Sequence, residues 1–326
     1  MLVTGGTGFI GTRLVEALIG TGARVFVLRR LKGKSTAISK DKKDNFEYRY
    51  GDFSAPSTLE GVCDGVDTVF HLAGHAHVED SSADFEKSPH WRVTVEGPQC
   101  LLKQARAAGV KRLIFVSTVK AMGEGGEDRL DETSPATPED FYGMAKREAE
   151  RLILSAGSQY EMHVSVLRLP MVYGLHNTGN LARMIVAIRR NRFPPLSQVY
   201  NRRSMVHVED VVQALFLVSD RAAARGQVYL ITDDEVYSAS RIYDSICAAL
   251  SRPPPVWRIP AWLLRIIGRG GDILSAMSLP APVTSIMLRK LLGSAWYSCE
   301  KAKRELGYRP SRKLEDVLPE IVNYLK

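Results

Sequence analysis

Tyr142 and Lys146 lie four residues apart in a segment, residues 141–150, that has the pattern of a helix. A spacing of i, i+4 places both side chains on one face of a helix. An ammonium group beside a phenol stabilises the phenolate, so we expect Lys146 to lower a tyrosine pKa that starts at about 10. Tyr142 would then exchange a proton at neutral pH, as a general acid does. The alternative is an ordinary helix surface, because Tyr and Lys are common on helices.

Four glycines lie in the segment TGGTGFIG, residues 4–11, between the first apolar run and the first helical pattern. Gly5 would permit a tight turn, Gly8 a close approach of the backbone to a pyrophosphate, and Gly11 close packing of the helix on the strand. The amino end of the next helix offers free N–H groups to the phosphates. An ordinary turn is the alternative, but the strand–loop–helix context favours a dinucleotide site. The loop residues predicted to contact a cofactor are Gly5, Thr7, Gly8, Phe9, Ile10 and Gly11.

The elements that would position these residues follow from the apolar pattern. Short apolar runs alternate with helical patterns, and the runs lie at 1–4, 25–28, 69–72, 113–116 and 164–167. Continuous apolar strands separated by helices are typical of a parallel sheet covered on both faces. We therefore predict a doubly wound α/β (Rossmann) domain over residues 1–170, with late strands contributed from about 203–235. A smaller substrate-binding lobe is predicted over 171–326, and a helix over 299–306 should end at Gly307.

The glycine loop and the Tyr-x-x-x-Lys pair resemble the extended short-chain dehydrogenase/reductase family of nucleotide-sugar epimerases, dehydratases and reductases. The resemblance runs over nearly the whole chain. It implies that residues 116–124 are the family's Ser-Ser/Thr segment, with Thr118 as the catalytic hydroxyl and Ser117 as its structural neighbour. It also implies that Tyr142 donates a proton and that Lys146 holds the nicotinamide ribose. Two hydroxyls near a carbonyl would steady and protonate its oxygen as a hydride arrives.

The same resemblance implies further cofactor contacts. Asp52 would take the adenine amino group, and the segments at the ends of the apolar runs 69–72 and 164–167 would run beneath the cofactor. The residues predicted in this way are Asp52, Phe53, Leu72, Ala73, Gly74, Pro170 and Val172. One position departs from the family, because Thr94 stands where an asparagine usually helps to organise the site.

The end of the second strand bears on the choice of cofactor. Family members usually carry an acid 24 positions after the first glycine, where this chain has Arg29, followed by Arg30, Lys32 and Lys34. An acid would accept hydrogen bonds from the ribose hydroxyls, whereas guanidinium groups suit a 2′-phosphate. We therefore predict NADP(H) rather than NAD(H), with a solvated basic loop as the alternative.

Four residues are candidates for binding the substrate. Arg203, in a segment that resembles the family's Arg-x-x-x-His-Val-x-Asp, would clamp a diphosphate. Asn180 either contacts the same diphosphate or only caps a helix. Lys120 and Thr118 complete the set, while Asp210 should cap the next helix and His207 should pack.

These features favour an NADPH-dependent reductase of a UDP-2-acetamido-2,6-dideoxy-4-hexulose type of sugar in surface-polysaccharide synthesis. Residues 75–78 and 119–124 resemble that branch of the family. The hydride would come from NADPH and the proton from Tyr142. The alternatives are a UDP-sugar 4-epimerase with bound NAD, a dihydroflavonol- or hydroxysteroid-type reductase, and a non-catalytic NADP sensor or RNA-binding protein. Residues 259–268 are apolar enough to touch a membrane surface, although a packed helix is the alternative.

Composition limits the partners. Among 326 residues, 44 Lys plus Arg against 36 Asp plus Glu give a net charge of +8, and 45% are hydrophobic, which excludes a disordered chain. No basic motif interleaved with aromatics supports nucleic acid. No apolar run approaches the roughly 20 residues of a membrane span, and no signal-peptide pattern opens the chain, so we expect a cytoplasmic protein. Four cysteines without a CxxC pair predict packed thiols and no metal site. The family resemblance implies a homodimer.

Overall fold

The structure is a computed structural model that describes residues 1–30, 45–74, 91–196, 199–253, 258–276 and 284–325. Seven parallel strands form the main sheet in the order β3-β2-β1-β4-β5-β6-β9, and β7 and β8 form a second, two-stranded sheet. The strands are β1 (Leu2–Thr4), β2 (Val25–Arg29), β3 (Phe46–Tyr50), β4 (Thr68–His71), β5 (Arg112–Thr118), β6 (His163–Leu169), β7 (Met171–Tyr173), β8 (Met205–His207) and β9 (Gln227–Leu230).

Helices cover both faces of the main sheet and build most of the C-terminal region. They are α1 (Phe9–Gly20), α2 (Gly97–Ala107), α3 (Phe141–Gln159), α4 (Asn180–Arg189), α5 (Val208–Asp220), α6 (Ala239–Ala249), α7 (Ala261–Ala276), α8 (Ser285–Leu292), α9 (Glu300–Leu306) and α10 (Leu314–Tyr324). Two apolar cores lie on the two faces of the sheet, one beneath α1 and α5 and the other beneath α2 and α3. The predicted doubly wound α/β fold is confirmed.

The strand order reverses between β1 and β4. On one side of β1 lie β2 and β3, and on its other side lie β4, β5 and β6. In open parallel sheets, ligands bind in the crevice that this reversal opens at the carboxyl ends of the strands. The predicted runs lie within one or two residues of β1, β2, β4, β5 and β6. Sequence and topology therefore direct attention to the same edge of the sheet.

The later chain does not form a separate body. β9 extends the main sheet beside β6, and Cys299, Ala302, Leu306 and Tyr308 join the same core as β1 and α1. A third core gathers α4, α6, α10 and parts of α7 and α8. Helix α9 ends at Gly307, in a left-handed conformation with φ of +71°, as predicted. The division near residue 170 stays a prediction.

Three of the four cysteines lie in the interior of the protein. Cys63, Cys247 and Cys299 are buried, and Cys100 is half-buried. Within the described ranges, no helix has the length and apolar character needed to cross a membrane.

Candidate active site

The loop between β1 and α1 has the geometry that a phosphate cradle requires. Gly5 has a φ of +70°, and the Gly8 N–H donates to the Gly5 carbonyl at 2.9 Å. A Cβ on Gly5 would lie 2.8 Å from the backbone nitrogen of Ala73, while one on Gly11 would overlap the Gly5 carbonyl oxygen. The lack of a side chain at Gly11 therefore lets helix α1 pack against the loop backbone at Gly5 and Gly6. Thr7, Phe9 and Ile10 complete the loop and the first turn of α1.

Arg29 ends β2 next to this loop. Thr4 pairs with Leu28 across β1 and β2, so Arg29 lies one residue beyond the register, beside Gly5. Its guanidinium lies 5.5 Å from the centre of the Tyr48 ring. Arg30 is exposed immediately after it. Both arginines therefore lie at the carboxyl end of β2. Lys32, Lys34 and the segment 75–78 lie outside the described residues.

Asp52 and Phe53 follow β3. The Asp52 carboxylate accepts hydrogen bonds from the Ser54 backbone N–H at 2.9 Å and from the Ser54 hydroxyl at 2.7 Å, which closes a tight turn. Phe53 is buried, and its ring meets His71 edge-on at 5.0 Å between centres. A Cβ on Gly97 would lie 2.8 Å from Phe53, so α2 packs directly on this ring. The turn is thereby fixed beneath the same edge.

The carboxyl end of β4 is held by a buried histidine. The Ala73 N–H donates to the Thr4 hydroxyl at 3.2 Å, and the same hydroxyl shares a hydrogen bond with His71 Nδ1 at 2.6 Å. Burial lowers the pKa of His71 to about 3, so the ring is neutral, and the nearby Lys146 charge acts in the same direction. Leu72, Ala73 and Gly74 follow β4 directly and belong to no helix or strand.

Thr118 ends β5 and pairs with Leu169, so Pro170 follows directly after this pair, while Val172 lies in β7 and pairs with Val206. The Thr118 hydroxyl accepts a hydrogen bond from the Lys120 N–H at 3.3 Å and caps a short turn, Val119–Ala121. Ser117 is turned inward instead.

Helix α3 begins against that turn. Its first-turn residue Gly143 lies so close to the Lys120 carbonyl that a Cβ would overlap it. The Lys120 ammonium pairs with Asp140 at 2.6 Å and lies 5.7 Å from the centre of the Tyr142 ring. Asp140 also caps α3, accepting from the Gly143 N–H at 2.8 Å. The structure thus brings the β5 turn and Tyr142 together.

Lys146 projects from α3 beneath the strands and is buried. Its ammonium donates to the Val116 carbonyl at 3.1 Å and lies 4.6 Å from the centre of the Phe115 ring. A Cβ on Gly74 would lie 3.1 Å from this nitrogen, so Lys146 stands at the end of β4 as well. Burial lowers the pKa of Lys146 to about 8, although the Glu150 charge acts to raise it.

The expected lowering of the tyrosine pKa is wrong for this structure. Burial, and to a smaller extent the Asp140 carboxylate, raise the pKa of Tyr142 to about 12. The physical reason is the direction of the lysine, because the Lys146 ammonium is engaged with the Val116 carbonyl and the Phe115 ring. The helical spacing was met, but spacing alone does not decide where a long side chain ends.

A buried ion pair behind the site was missed by the sequence reasoning. Glu150, fully buried on α3, accepts two hydrogen bonds from Arg168 of β6, at 3.1 and 2.8 Å. The Ser117 hydroxyl donates to the same carboxylate at 2.6 Å, and the half-exposed Arg147 adds a contact at 3.3 Å. Glu150 is four residues beyond Lys146, so an acid on the buried face of this helix was the available signal.

Thr94, at the position that departs from the family pattern, is buried in a turn of π-helix, Arg92–Glu96. The Gly97 N–H donates to the Arg92 carbonyl and closes that turn. Single π-turns often occur at functional sites. This one passes directly into α2, the helix that packs on Phe53.

Asn180 does not cap a helix, so that alternative is wrong. The N-cap of α4 is Gly179, and Asn180 is the exposed first residue of the helix. The polar side chain that orders this turn is Asn177, which accepts from the Gly179 N–H at 2.6 Å and donates to the Val172 carbonyl at 2.6 Å.

Arg203 is anchored to the end of another helix. Its guanidinium donates to the Lys290 and Gly293 carbonyls at 2.7 and 2.8 Å, at the C-terminus of α8. Its backbone bridges Tyr237. Close to this bridge is a cleft of about 810 Å³, which is lined by residues that include Val199, Tyr200, Asn201, Ser238, Ser240 and Arg241.

Asp210 was predicted to cap α5, and this is wrong. The N-cap is His207, whose Nδ1 accepts from the Glu209 N–H at 3.3 Å, while its ring also packs on Tyr173. Asp210 instead accepts hydrogen bonds from the Ser311 N–H and hydroxyl at 3.0 and 2.8 Å. Ser311 is 101 positions away in the chain, so a rule based on residues near the helix start could not predict this partner of Asp210.

Comparisons with known proteins agree with this geometry. The model of the NAD dependent epimerase/dehydratase family matches residues 1–232. A UDP-glucose 4-epimerase of Vibrio cholerae is 28% identical over 323 residues, 97% of this chain and 92% of that protein. A 4-hydroxy-2-methyl-3-oxo-4-farnesyl-3,4-dihydroquinoline-1-oxide ketoreductase of Stigmatella aurantiaca is 28% identical over 94% of this chain and 90% of its own.

A solved structure shares the whole fold. The UDP-glucose 4-epimerase of Thermotoga maritima, determined with UDP-glucose, superposes with a TM-score of 0.77 at 24% identity and covers 99% of this chain and 97% of its own. The family model matches well over half of the sequence. The chain therefore belongs to the NAD dependent epimerase/dehydratase family of extended short-chain dehydrogenases/reductases, which are enzymes that use a nicotinamide dinucleotide.

Proposed function

We propose that this protein is an NADPH-dependent reductase of a nucleotide-activated 4-keto sugar of the UDP-2-acetamido-2,6-dideoxy-4-hexulose type. The observation that carries the proposal is the packing of the turn after Thr118 against the start of α3, the helix of Tyr142 and Lys146, with two arginines at the end of β2. A carbonyl-reducing centre and a site for an extra phosphate lie along one edge. Both features suit net reduction.

The residues at this edge fit a dinucleotide cofactor. Because Gly5 and Gly11 carry no side chains, the loop packs closely against the backbone of Ala73 and against its own backbone, which gives the tight turn that a pyrophosphate cradle requires. Arg29 and Arg30 would hold a 2′-phosphate, Asp52 the adenine, and Lys146 the nicotinamide ribose. When bound, the reduced nicotinamide supplies a hydride to the carbonyl carbon of the substrate.

The chain itself would manage the proton. With a pKa raised to about 12, Tyr142 is protonated at neutral pH, which is the form that can donate to a carbonyl oxygen as it becomes an alcohol. The Thr118 hydroxyl would hold that oxygen from the neighbouring strand. Lys120, paired with Asp140, would keep the first turn of α3 against this strand. These roles are proposals for the residues named.

The sugar nucleotide would extend from this centre towards the C-terminal region. Arg203 and Asn180 are proposed to hold its diphosphate, and the 810 Å³ cleft near Arg203 is of the size that binds a nucleoside. Tyr200, 83% exposed at the cleft, offers a ring on which a base can stack.

A UDP-sugar 4-epimerase is the second candidate. It is favoured by the Vibrio cholerae relative, which aligns over nearly the full length of both chains. An epimerase retains its oxidised cofactor and returns the hydride, so a carbonyl substrate and added NADPH are not required. The ketoreductase relative of Stigmatella aurantiaca supports net reduction at similar identity.

One experiment separates the two. The protein is incubated with NADPH and a UDP-4-keto-6-deoxy-N-acetylhexosamine, and loss of reduced-nicotinamide absorbance is followed. We expect turnover that Tyr142→Phe reduces by at least about a hundredfold, since general acid catalysis contributes on that order. If the protein interconverts UDP-hexoses without added NADPH and does not turn over the keto sugar, it is the epimerase instead.

A further inference from the structure

Helices α7 and α8 place large apolar side chains on the surface. Trp262, Ile266 and Ile273 of α7 are 61%, 54% and 63% exposed, and their spacing puts them on one side of the helix. Together with their neighbours they form what we call the α7–α8 patch, which comprises Trp262, Ile266, Ile267, Ile273, Ile286 and Met287. A surface helix normally turns such residues towards the core.

The opposite side of α7 makes the internal contacts. Leu264 is buried, and a Cβ on Gly268 would lie 2.7 Å from the Leu288 side chain and 3.2 Å from Ser285 Cα. The two helices therefore meet at Gly268, and Leu288 of α8 is buried in the same core as Leu264. The exposed apolar side is thus a second apolar face, beyond the one that folding uses.

The charges around the patch are mostly positive. Residues 258–293 contain five Lys and Arg and a single acid, Asp272, so they supply four of the eight net positive charges of the chain. Arg269, Arg289 and Lys290 are exposed. Asp272 accepts a hydrogen bond from the Ser285 N–H at 2.9 Å, at the start of α8. Tryptophan and isoleucine beside exposed arginine and lysine are typical of helices that lie in a bilayer interface.

We propose that the α7–α8 patch docks this protein on an anionic phospholipid bilayer. The apolar side chains would enter the boundary between headgroups and acyl chains, and the arginines and lysine would pair with lipid phosphates. No helix among the described residues can cross a bilayer, so the contact is with the surface.

The position of the patch gives this contact a consequence for access. Arg203 donates to the carbonyl of Lys290, and the Lys290 charge helps to lower the pKa of Asp140, which caps the helix of Tyr142. The end of α8 therefore lies beside the candidate active site, and a docked molecule would hold the mouth of that site near the lipid surface. The docking itself does not rest on the proposed reaction.

Vesicle binding tests the proposal. The full chain is sedimented with phosphatidylcholine vesicles that contain phosphatidylglycerol, and with phosphatidylcholine alone. We expect binding to the anionic vesicles that weakens as salt increases, and a loss of tenfold or more, on the order expected for two large apolar side chains, in Trp262→Glu/Ile266→Glu. Arg269→Gln should weaken binding to the anionic vesicles only.

Tyr324→Glu is the matched control, because Tyr324 is a 53% exposed aromatic residue of α10 outside the patch. It should bind vesicles as the unchanged chain does. All variants should keep the thermal midpoint and NADPH affinity of the unchanged protein, which shows that they fold. Absent binding to anionic vesicles, or undiminished binding by the double variant, overturns the proposal. Self-association that the double variant abolishes, without lipid binding, would assign the patch to a second copy of the chain.

Discussion

The buried pair of Glu150 and Arg168 gives the sharpest prediction for stability. Replacing Arg168 with Met removes two hydrogen bonds to a carboxylate that has no solvent exposure. Hydrogen bonds to charged groups contribute about 1.5–3 kcal/mol each, and breaking a buried pair from one side costs about 3–5 kcal/mol. Ser117 continues to donate to Glu150, and Arg147 is close enough to compensate in part. We therefore expect a loss of about 3 kcal/mol.

Urea unfolding at neutral pH measures this loss of unfolding free energy, and two further variants serve as its controls. The pair Arg151–Glu148 lies on the same helix but is largely exposed, so Arg151→Met should cost less than about 1 kcal/mol. The double variant Glu150→Leu/Arg168→Met removes both charges and should recover about 2 kcal/mol of the single loss. If Arg168→Met costs no more than Arg151→Met, or if the double variant is less stable than the single one, the reasoning is refuted.

Three other outcomes are expected. Gly11→Ala should abolish NADPH binding in fluorescence titrations, because the new methyl group overlaps the Gly5 carbonyl oxygen; normal affinity would contradict the assigned cradle. Arg29→Asp should weaken NADPH about tenfold or more while NADH binding changes little, and equal losses for both would remove Arg29 from the 2′-phosphate site. Burial raises the pKa of Asp233 to about 6, above its unfolded value near 3.8, so the folded state retains the proton and stability falls as pH rises from 4 to 6. In Asp233→Asn that fall, about 3 kcal/mol, should disappear from urea midpoints measured across this window, and an unchanged slope would show that other groups cause it.

The fold was predictable because its signals are redundant. A parallel strand buried on both faces must be apolar throughout, so β1, β2, β4, β5 and β6 read as continuous apolar runs. β3 carries two charged residues in five and its burial is partial, which is why the pattern understated it. The glycine loop was equally predictable, since the backbone contacts that require Gly8 and Gly11 come from Gly5 and Gly6 in the same short segment.

The electrostatics of the site were not predictable in the same way. Local spacing put Tyr142 and Lys146 on one helix face, yet the ammonium follows a carbonyl of β5 and leaves the phenol pKa to burial and Asp140. Asp210 and Asn180 failed as caps for a related reason. Several polar residues near a helix start satisfy the same local rule, and contacts from distant segments decide among them.

The last turns of the chain have a bearing on how the protein is made. Val3 and Cys299 belong to one core although 296 positions separate them, and the Tyr308 hydroxyl donates to the Thr232 carbonyl at 2.9 Å. A ribosome delivers the amino-terminal strands long before the segment that seals them. Part of the apolar surface of the nascent sheet therefore stays uncovered until that segment is synthesised. Contacts between residues so far apart in the sequence also form slowly. A fragment that stops at residue 232, where the family match ends, would keep all the strands of the described residues and still lack Cys299, Ala302, Leu306 and Tyr308, which complete its core.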